Sequence, residues 1–167
     1  MNDAFDVRLA GPEDTQLLAG LRRTWVEEMA TEAIEDPGFE ERFDEWMLKE
    51  HEQRVTWLGY VAGEAAGMVN MLVFTRMPKP GQERSSRWGY LANFYVRREH
   101  RNSGLGTAML AALTDHADDE GFVRVVLSPS DRSIPFYERG GFREAYDLMI
   151  RPQPTGRTQR RHSDWDS

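Results

Sequence analysis

The sequence predicts an α/β fold in which strands and helices alternate along one chain of 167 residues. Three observations carry that expectation. An apolar run, Tyr90 to Val96, leads into a Gly-x-Gly loop and then a strongly periodic helix, Leu105 to Ala117. Two further stretches, Arg54 to Val61 and Gly67 to Phe74, flank a short turn at Gly63-Glu64 and read as a hairpin. The length fits one domain with a substantial core.

Phe5, Val7 and Leu9 alternate as a first strand. Gly11-Pro12 then opens a helix whose Leu17, Leu18, Leu21, Trp25 and Met29 fall on one face. Pro37-Gly38 interrupts. Phe39, Phe43, Trp46 and Met47 repeat at helical spacing, so a second amphipathic helix is expected from about Gly38 to His51. After the hairpin, the polar run Pro78 to Ser86 is a loop leading into the strand Trp88 to Val96. The helix that starts at Leu105 ends near Gly121, and Phe122 to Leu127 reads as a short buried strand. Pro135 belongs to the first turn of a last helix capped by Asp131 or Ser133, where its missing N–H costs little. Phe142 to Ile150 is expected as a final strand. Trp25, Trp46 and Trp57 are core candidates. The domain is therefore expected over residues 1–150. The tail, 151–167, carries Arg157, Arg160 and Arg161 with Pro152, Pro154 and Gly156 but few apolar residues, and reads as mobile.

Composition narrows the chemistry. There is no cysteine, which excludes disulfides, thiolate catalysis and cysteine-based zinc sites. The N-terminus lacks a basic start followed by an apolar run, and no segment is long enough to span a bilayer, so the expectation is a cytoplasmic protein with no membrane partner. The 28 acidic and 21 basic residues give a net charge of −7, which argues against nucleic acid and favours cationic substrates. His51, His100, His116 and His162 show no metal-ligand spacing and read as surface residues. Asp115, Asp118, Asp119 and Glu120 read as a solvated face rather than a metal site.

Arg101-Asn102-Ser103-Gly104-Leu105-Gly106 is the candidate anion site. The first N–H groups of a helix have no intrahelical partners and carry the positive end of its dipole, so a phosphate can accept from several at once. Glycine lets the main chain take positive φ and approach a pyrophosphate closely, and Arg101 adds a charged clasp. A dinucleotide fingerprint would need glycine where Met109 stands, and a P-loop would need Gly-Lys-Ser/Thr where Thr107 and Ala108 follow the glycines. The plain alternative is that the two glycines only shape a strand-to-helix turn.

Two motifs in order point further. Arg-x-x-Gly-x-Gly after a strand ending in Tyr95-Val96 resembles the acetyl-coenzyme A loop of the GNAT superfamily of N-acetyltransferases. Ser130-Asp131-Arg132-Ser133-Ile134-Pro135-Phe136-Tyr137-Glu138-Arg139-Gly140-Gly141-Phe142 resembles that superfamily's closing helix and its Tyr-x-x-x-Gly-Phe ending. More weakly, the resemblance runs from about Phe5 to Ile150. It implies a twisted, mostly antiparallel sheet flanked by helices and splayed between the fourth and fifth strands, with the pantetheine arm of acetyl-CoA lying in the splay like an added strand. It also implies main-chain contacts to that arm at Phe94 and Val96. The pyrophosphate would lie on backbone groups of Arg101, Asn102, Ser103, Gly104, Leu105, Gly106 and Thr107.

Acetyl transfer to an amine needs a neutral nitrogen, a donor for the tetrahedral oxyanion and a proton for the departing thiolate. By resemblance, Tyr137 supplies the proton and the Val96 N–H faces the oxyanion. Ser130 and Ser133 line the cofactor side, standing where asparagine and alanine are common in the superfamily. The fourth strand, Tyr90 to Val96, carries no carboxylate, so no general base is assigned. Asn93 could orient the amine or a water, and Tyr90 would need an unusual pKa to act. Trp25, Glu27 and Glu28 are the candidates on the acceptor side, since the first two helices usually shape that pocket in the superfamily. The reading is an acetyl-CoA-dependent N-acetyltransferase acting through a ternary complex on a small-molecule or peptide amine, with a homodimer implied only by family habit. The alternatives are a non-catalytic acyl-CoA-binding module and the same fold using another acyl group.

Overall fold

The computed structural model describes residues 5–154, and the chain divides into two units, Met1–Leu127 and Ser128–Ser167. In the first unit the order is β1 (Phe5–Leu9), α1 (Thr15–Ala30), α2 (Phe39–Glu50), β2 (Arg54–Val61), β3 (Glu64–Thr75), β4 (Arg87–Val96), α3 (Leu105–Asp119) and β5 (Val125–Leu127). The five strands form one sheet in the order β1-β2-β3-β4-β5, antiparallel throughout except for the parallel β4–β5 pair. This is the mixed, mostly antiparallel sheet flanked by helices that the sequence leads one to expect.

The chain turns from β1 into α1 around a buried carboxylate. Asp14 accepts two hydrogen bonds from Arg8, both 2.8 Å, and one from the Gly11 N–H at 2.8 Å. α1 then lays Leu18, Leu21 and Trp25 against Leu58 of β2, Met68 of β3 and Tyr95 of β4. Each fully buried side chain of this kind is worth about 1.5–3 kcal/mol. Leu17 and Met29, expected on the same stripe, are exposed at 37% and 55%. At 100° per residue they fall at the two margins of an arc centred on Leu21 and Trp25, beyond the reach of the sheet.

α3 covers the opposite face through Leu105, Met109, Leu110, Leu113 and Ala117. Its approach depends on glycines paired across β2 and β3. A Cβ at Gly59 or Gly67 would lie 2.7 or 2.8 Å from Met109 atoms. The chain leaves α3 through a left-handed glycine. Gly121, at φ +67°, donates to the Asp118 carbonyl and Phe122 to the Ala117 carbonyl, closing a Schellman motif. β5 itself holds Val125–Leu127, but the segment already runs beside β4 before it, with the Val123 N–H donating to the Arg87 carbonyl at 2.9 Å and the Arg124 carbonyl accepting from the Gly89 N–H at 3.0 Å.

Trp57 is buried as expected, but Trp46 is 37% exposed, with Arg54 lying 4.6 Å over its ring. His116 is not a surface residue. Its ring is half-buried and meets Trp57 and Phe122 edge-on.

In the second unit, α4 (Ile134–Arg139) begins after Ser133, with Pro135 in its first turn. The strand expected over Phe142 to Ile150 does not form. These residues have no strand partner among the described residues, and Tyr146, Met149 and Ile150 are exposed at 86%, 101% and 71%. Residues 151–154 are exposed and without regular structure, and the rest of the expected mobile tail lies outside the described residues. Among the described residues, no helix is long and apolar enough to cross a membrane.

Candidate active site

The end of β4, the loop after it and the start of α3 form the first half of the site. A 3₁₀ turn, Arg98–His100, follows β4, and Ser103 Oγ donates to the His100 carbonyl at 2.5 Å. Asn102 and Gly104 then take positive φ, +59° and +99°. Gly104 is the N-cap of α3, and the first intrahelical bond runs from the Ala108 N–H to its carbonyl at 3.0 Å. The N–H groups of Leu105, Gly106 and Thr107 therefore precede that ladder and have no partner within the helix. Only the first of the two motif glycines needs a left-handed backbone. A Cβ there would also lie 3.2 Å from Phe5 Cε2.

The second half is the splay. The β4–β5 ladder covers only Gly89 to Leu91, and Ala92 is an extra residue between the β3–β4 pairs Met71–Leu91 and Asn70–Asn93. This bulge changes the parity of the strand. Gly89 directs its N–H to β5, bonding the Arg124 carbonyl at 3.0 Å, while Arg97 directs its own to β3, bonding the Ala66 carbonyl at 2.8 Å. Backbone groups alternate along a strand. The main-chain groups of Phe94 and Val96 consequently point to the β5 side, beyond the last β4–β5 pair.

Asn93 shares the opposite strand parity with Tyr95, on the sheet face that α1 covers. It sits across from the buried Asn70, whose amide donates to Thr56 Oγ1 at 2.6 Å and whose carbonyl accepts from Arg54 at 2.6 Å.

Glu28 ties α1 to this strand end. Its carboxylate, 15% exposed, accepts from the Tyr95 hydroxyl at 2.8 Å and from Arg101 at 2.5 Å, with Arg98 at 3.6 Å. Burial pushes the carboxyl up, but the Tyr95 hydroxyl and the arginines outweigh it and hold Glu28 below the usual glutamate range. The Tyr95 hydroxyl is pushed up to about 12, by burial first and by Glu28 second. Arg101 also donates through Nε to the Val96 carbonyl at 3.0 Å. The opening arginine of the loop motif is thus fastened both to the strand end and to α1. Trp25 stacks on Tyr95 with ring centroids 5.5 Å apart. Glu27 points elsewhere. It accepts the Ile34 N–H at 3.0 Å and lies 3.6 Å from Arg23, closing the turn after α1.

In the second unit, Ser133 Oγ donates to the Ser130 carbonyl at 2.9 Å and lies 3.1 Å from Ser130 Oγ, winding the turn into α4. Tyr137 is half-buried and meets Phe136 and Phe142 edge-on at 5.1 and 5.8 Å.

Residues 20–142 match the acetyltransferase (GNAT) family. The chain belongs to that family. This GNAT chain is 28% identical over 89 residues to glucosamine 6-phosphate N-acetyltransferase of Trypanosoma brucei brucei, covering 53% of its own length and 57% of the relative's. It is 32% identical over 56 residues to an uncharacterised N-acetyltransferase of Bacillus subtilis, covering 34% and 40%. The chain thus spans about half the length of the curated relatives it matches. In fold, it is similar to a protein from Clostridium acetobutylicum described as a predicted acetyltransferase and solved with acetyl-CoA. The TM-score is 0.68 at 19% identity, covering 89% of this chain and 96% of that one.

Sequence reasoning missed Tyr95 and the arginine grip on Glu28. The alternation of β4 places Tyr95 on the inner face, but the partner of its hydroxyl lies 67 residues away and leaves no local pattern.

Proposed function

We propose that this protein is an acetyl-CoA-dependent N-acetyltransferase that moves the acetyl group directly to a primary amine bound beside it. The observation that carries the reading is Gly104 at φ +99°, opening α3 immediately after a strand whose edge has parted from β5. That turn fits a pyrophosphate. The N–H groups of Leu105, Gly106 and Thr107, with the loop backbone from Arg101 through Gly104, would hold it, and Gly104 has no side chain to obstruct the approach. Phe94 and Val96 would pair with the pantetheine amides as an added strand does. Bound there, acetyl-CoA supplies an activated thioester.

The chain's own residues supply the rest. The Val96 N–H faces the developing oxyanion, and Asn93 orients the amine or a water. Tyr137 donates a proton to the thiolate, with Ser130 and Ser133 on the cofactor side. Trp25 and Glu28 belong to the acceptor side, whereas Glu27, held by the Ile34 N–H and Arg23, closes the turn after α1. No cysteine exists to carry an acetyl group, which favours direct transfer. The reading takes residues 1–150 as the acetyltransferase domain and 151–167 as an appended tail.

A second reading, a non-catalytic acyl-CoA-binding module, is favoured by one observation. β4 has no carboxylate, and the Glu28 carboxylate is engaged by Tyr95 and Arg101. Calorimetric titration with acetyl-CoA, followed by turnover across a panel of primary amines, tests both. The first reading expects saturable binding and release of free coenzyme A with at least one amine. Binding without turnover leaves the module, and absence of binding refutes both.

A further inference from the structure

Among the described residues, Arg22 is a cation without a counter-ion. It lies on α1, one turn before Trp25, and its guanidinium carbon is 4.8 Å from the centre of the Trp25 ring. Trp25 is 9% exposed and stacks on Tyr95, the residue before Val96. Arg22 is itself half-buried, and among the described residues no carboxylate and no hydrogen-bond acceptor reaches its guanidinium. Burial is the influence on its pKa, which it lowers.

The half-buried acids of α1, α2 and the turn between them have other partners, although Asp44 Oδ1 is buried without one among the described residues. Glu27 and Glu40 pair with Arg23, Glu28 with Arg101 and Arg98, and Asp36 with Arg42, while Asp44 accepts from Gln16. Guanidinium does not lose its proton in proteins, so desolvation cannot be relieved by neutralisation. Stacking on an indole returns only part of the lost hydration. Taking a charge out of water costs more than that unless it is paired.

We infer that Arg22 receives an anionic group of the acceptor, so that the acceptor class is a primary amine that also carries a carboxylate or a phosphate. The inference rests on the acetyltransferase reading and sharpens it. The reading already gives the coenzyme A pyrophosphate to the α3 N-terminus. Arg22 belongs to a different set of contacts, reaching the β4 end through Trp25 and Tyr95. Guanidinium forms two parallel hydrogen bonds with either oxyanion, so its chemistry alone admits both sources.

The test compares matched amines that differ in their anion: glycine against glycinamide, and O-phosphoethanolamine against ethanolamine. Wild type is expected to favour the anionic member of at least one pair by tenfold or more in kcat/KM, and the pair that does so identifies the anion. Arg22→Met keeps an apolar stem on Trp25 and should abolish that preference, whereas Arg22→Lys should retain part of it. Acetyl-CoA affinity, titrated separately, should stay within twofold in both. Equal use of both members by wild type overturns the inference. So does a preference that survives Arg22→Met, or a loss of acetyl-CoA affinity in that variant, which would assign Arg22 to the cofactor. A readout without turnover separates this result from the reading beneath it. Calorimetric titration with inorganic phosphate and with acetate should show at least one anion binding to wild type and weakening tenfold or more in Arg22→Met. If acetyl-CoA is never consumed but this difference holds, the enzyme reading fails and the anion site stands. If neither anion binds, the site fails.

Discussion

Replacing Glu28 by alanine should both destabilise the fold and loosen the cofactor loop, because one carboxylate holds Tyr95 and Arg101 together. Hydrogen bonds to charged groups contribute about 1.5–3 kcal/mol each in stability. The Arg101 side chain is 43% exposed, so solvent screening discounts its share. The Tyr95 bond is better shielded, and its loss leaves a hydroxyl without its acceptor. A total of about 2–3 kcal/mol follows, and at about 2–4 °C per kcal/mol for a chain of this size the midpoint should fall by roughly 5–10 °C. Glu28→Gln should cost about half as much, since the amide oxygen still accepts from Tyr95 while the charge on Arg101 goes unanswered.

The same pair of variants separates two roles for Glu28. If it acts by positioning, both variants raise the acetyl-CoA KM more than they lower kcat, with Glu28→Gln intermediate, and the pH–rate profile keeps its shape. If it is the general base, Glu28→Gln removes the acid limb of that profile and lowers kcat by roughly 10²-fold or more. Differential scanning calorimetry and steady-state kinetics decide. A midpoint shift below about 1 °C in Glu28→Ala, together with an unchanged acetyl-CoA KM, would refute the anchoring argument.

Three further outcomes are expected. Gly104→Val forces a β-branched residue to φ +99° against Phe5, at about 1–3 kcal/mol, and should weaken acetyl-CoA binding tenfold or more by calorimetry while the fold survives. Tyr137→Phe keeps the ring and should lower kcat by roughly 10²–10⁴ at saturating acceptor with little change in acetyl-CoA affinity, whereas a purely structural tyrosine would leave turnover intact. Asp14 is pulled down to about 2, chiefly by its hydrogen bonds with Arg8, so its contribution to stability is complete above the unfolded value of 3.8 and is lost as pH falls from there through about 2. Acid titration of wild type and Asp14→Asn should show the wild-type advantage shrinking over that window.

What the sequence made legible follows from how local each cause is. The stripe of α3, the β2–β3 hairpin and the Gly104 turn each depend on residues close in sequence, and each is found, although β3 already begins at Glu64, inside the expected turn. The Ala92 bulge is different. It exists only in the register between β3 and β4, and no spacing within β4 announces it, yet it sets which backbone groups face the splay. The segment from Phe142 to Ile150 shows the converse error. Its alternation suits a strand, but a strand needs a partner, and none is present among the described residues.

Net charge is a coarse guide for a related reason. A net −7 suggests a cleft that draws cations, but a cleft feels the groups within about one Debye length, roughly 8–10 Å, and not the sum over the chain. Around α1 and α2 the half-buried acids Glu27, Glu28 and Asp36 are each answered by an arginine and Asp44 by Gln16 alone, while Glu32, Glu35, Glu41 and Glu45 are exposed to solvent that screens them. The composition therefore describes the outer surface. Among the described residues, the half-buried charge on α1 left without a partner is positive, at Arg22, and if the anion inference holds, the sign of that one group bears more directly on the acceptor than the excess of carboxylates around it.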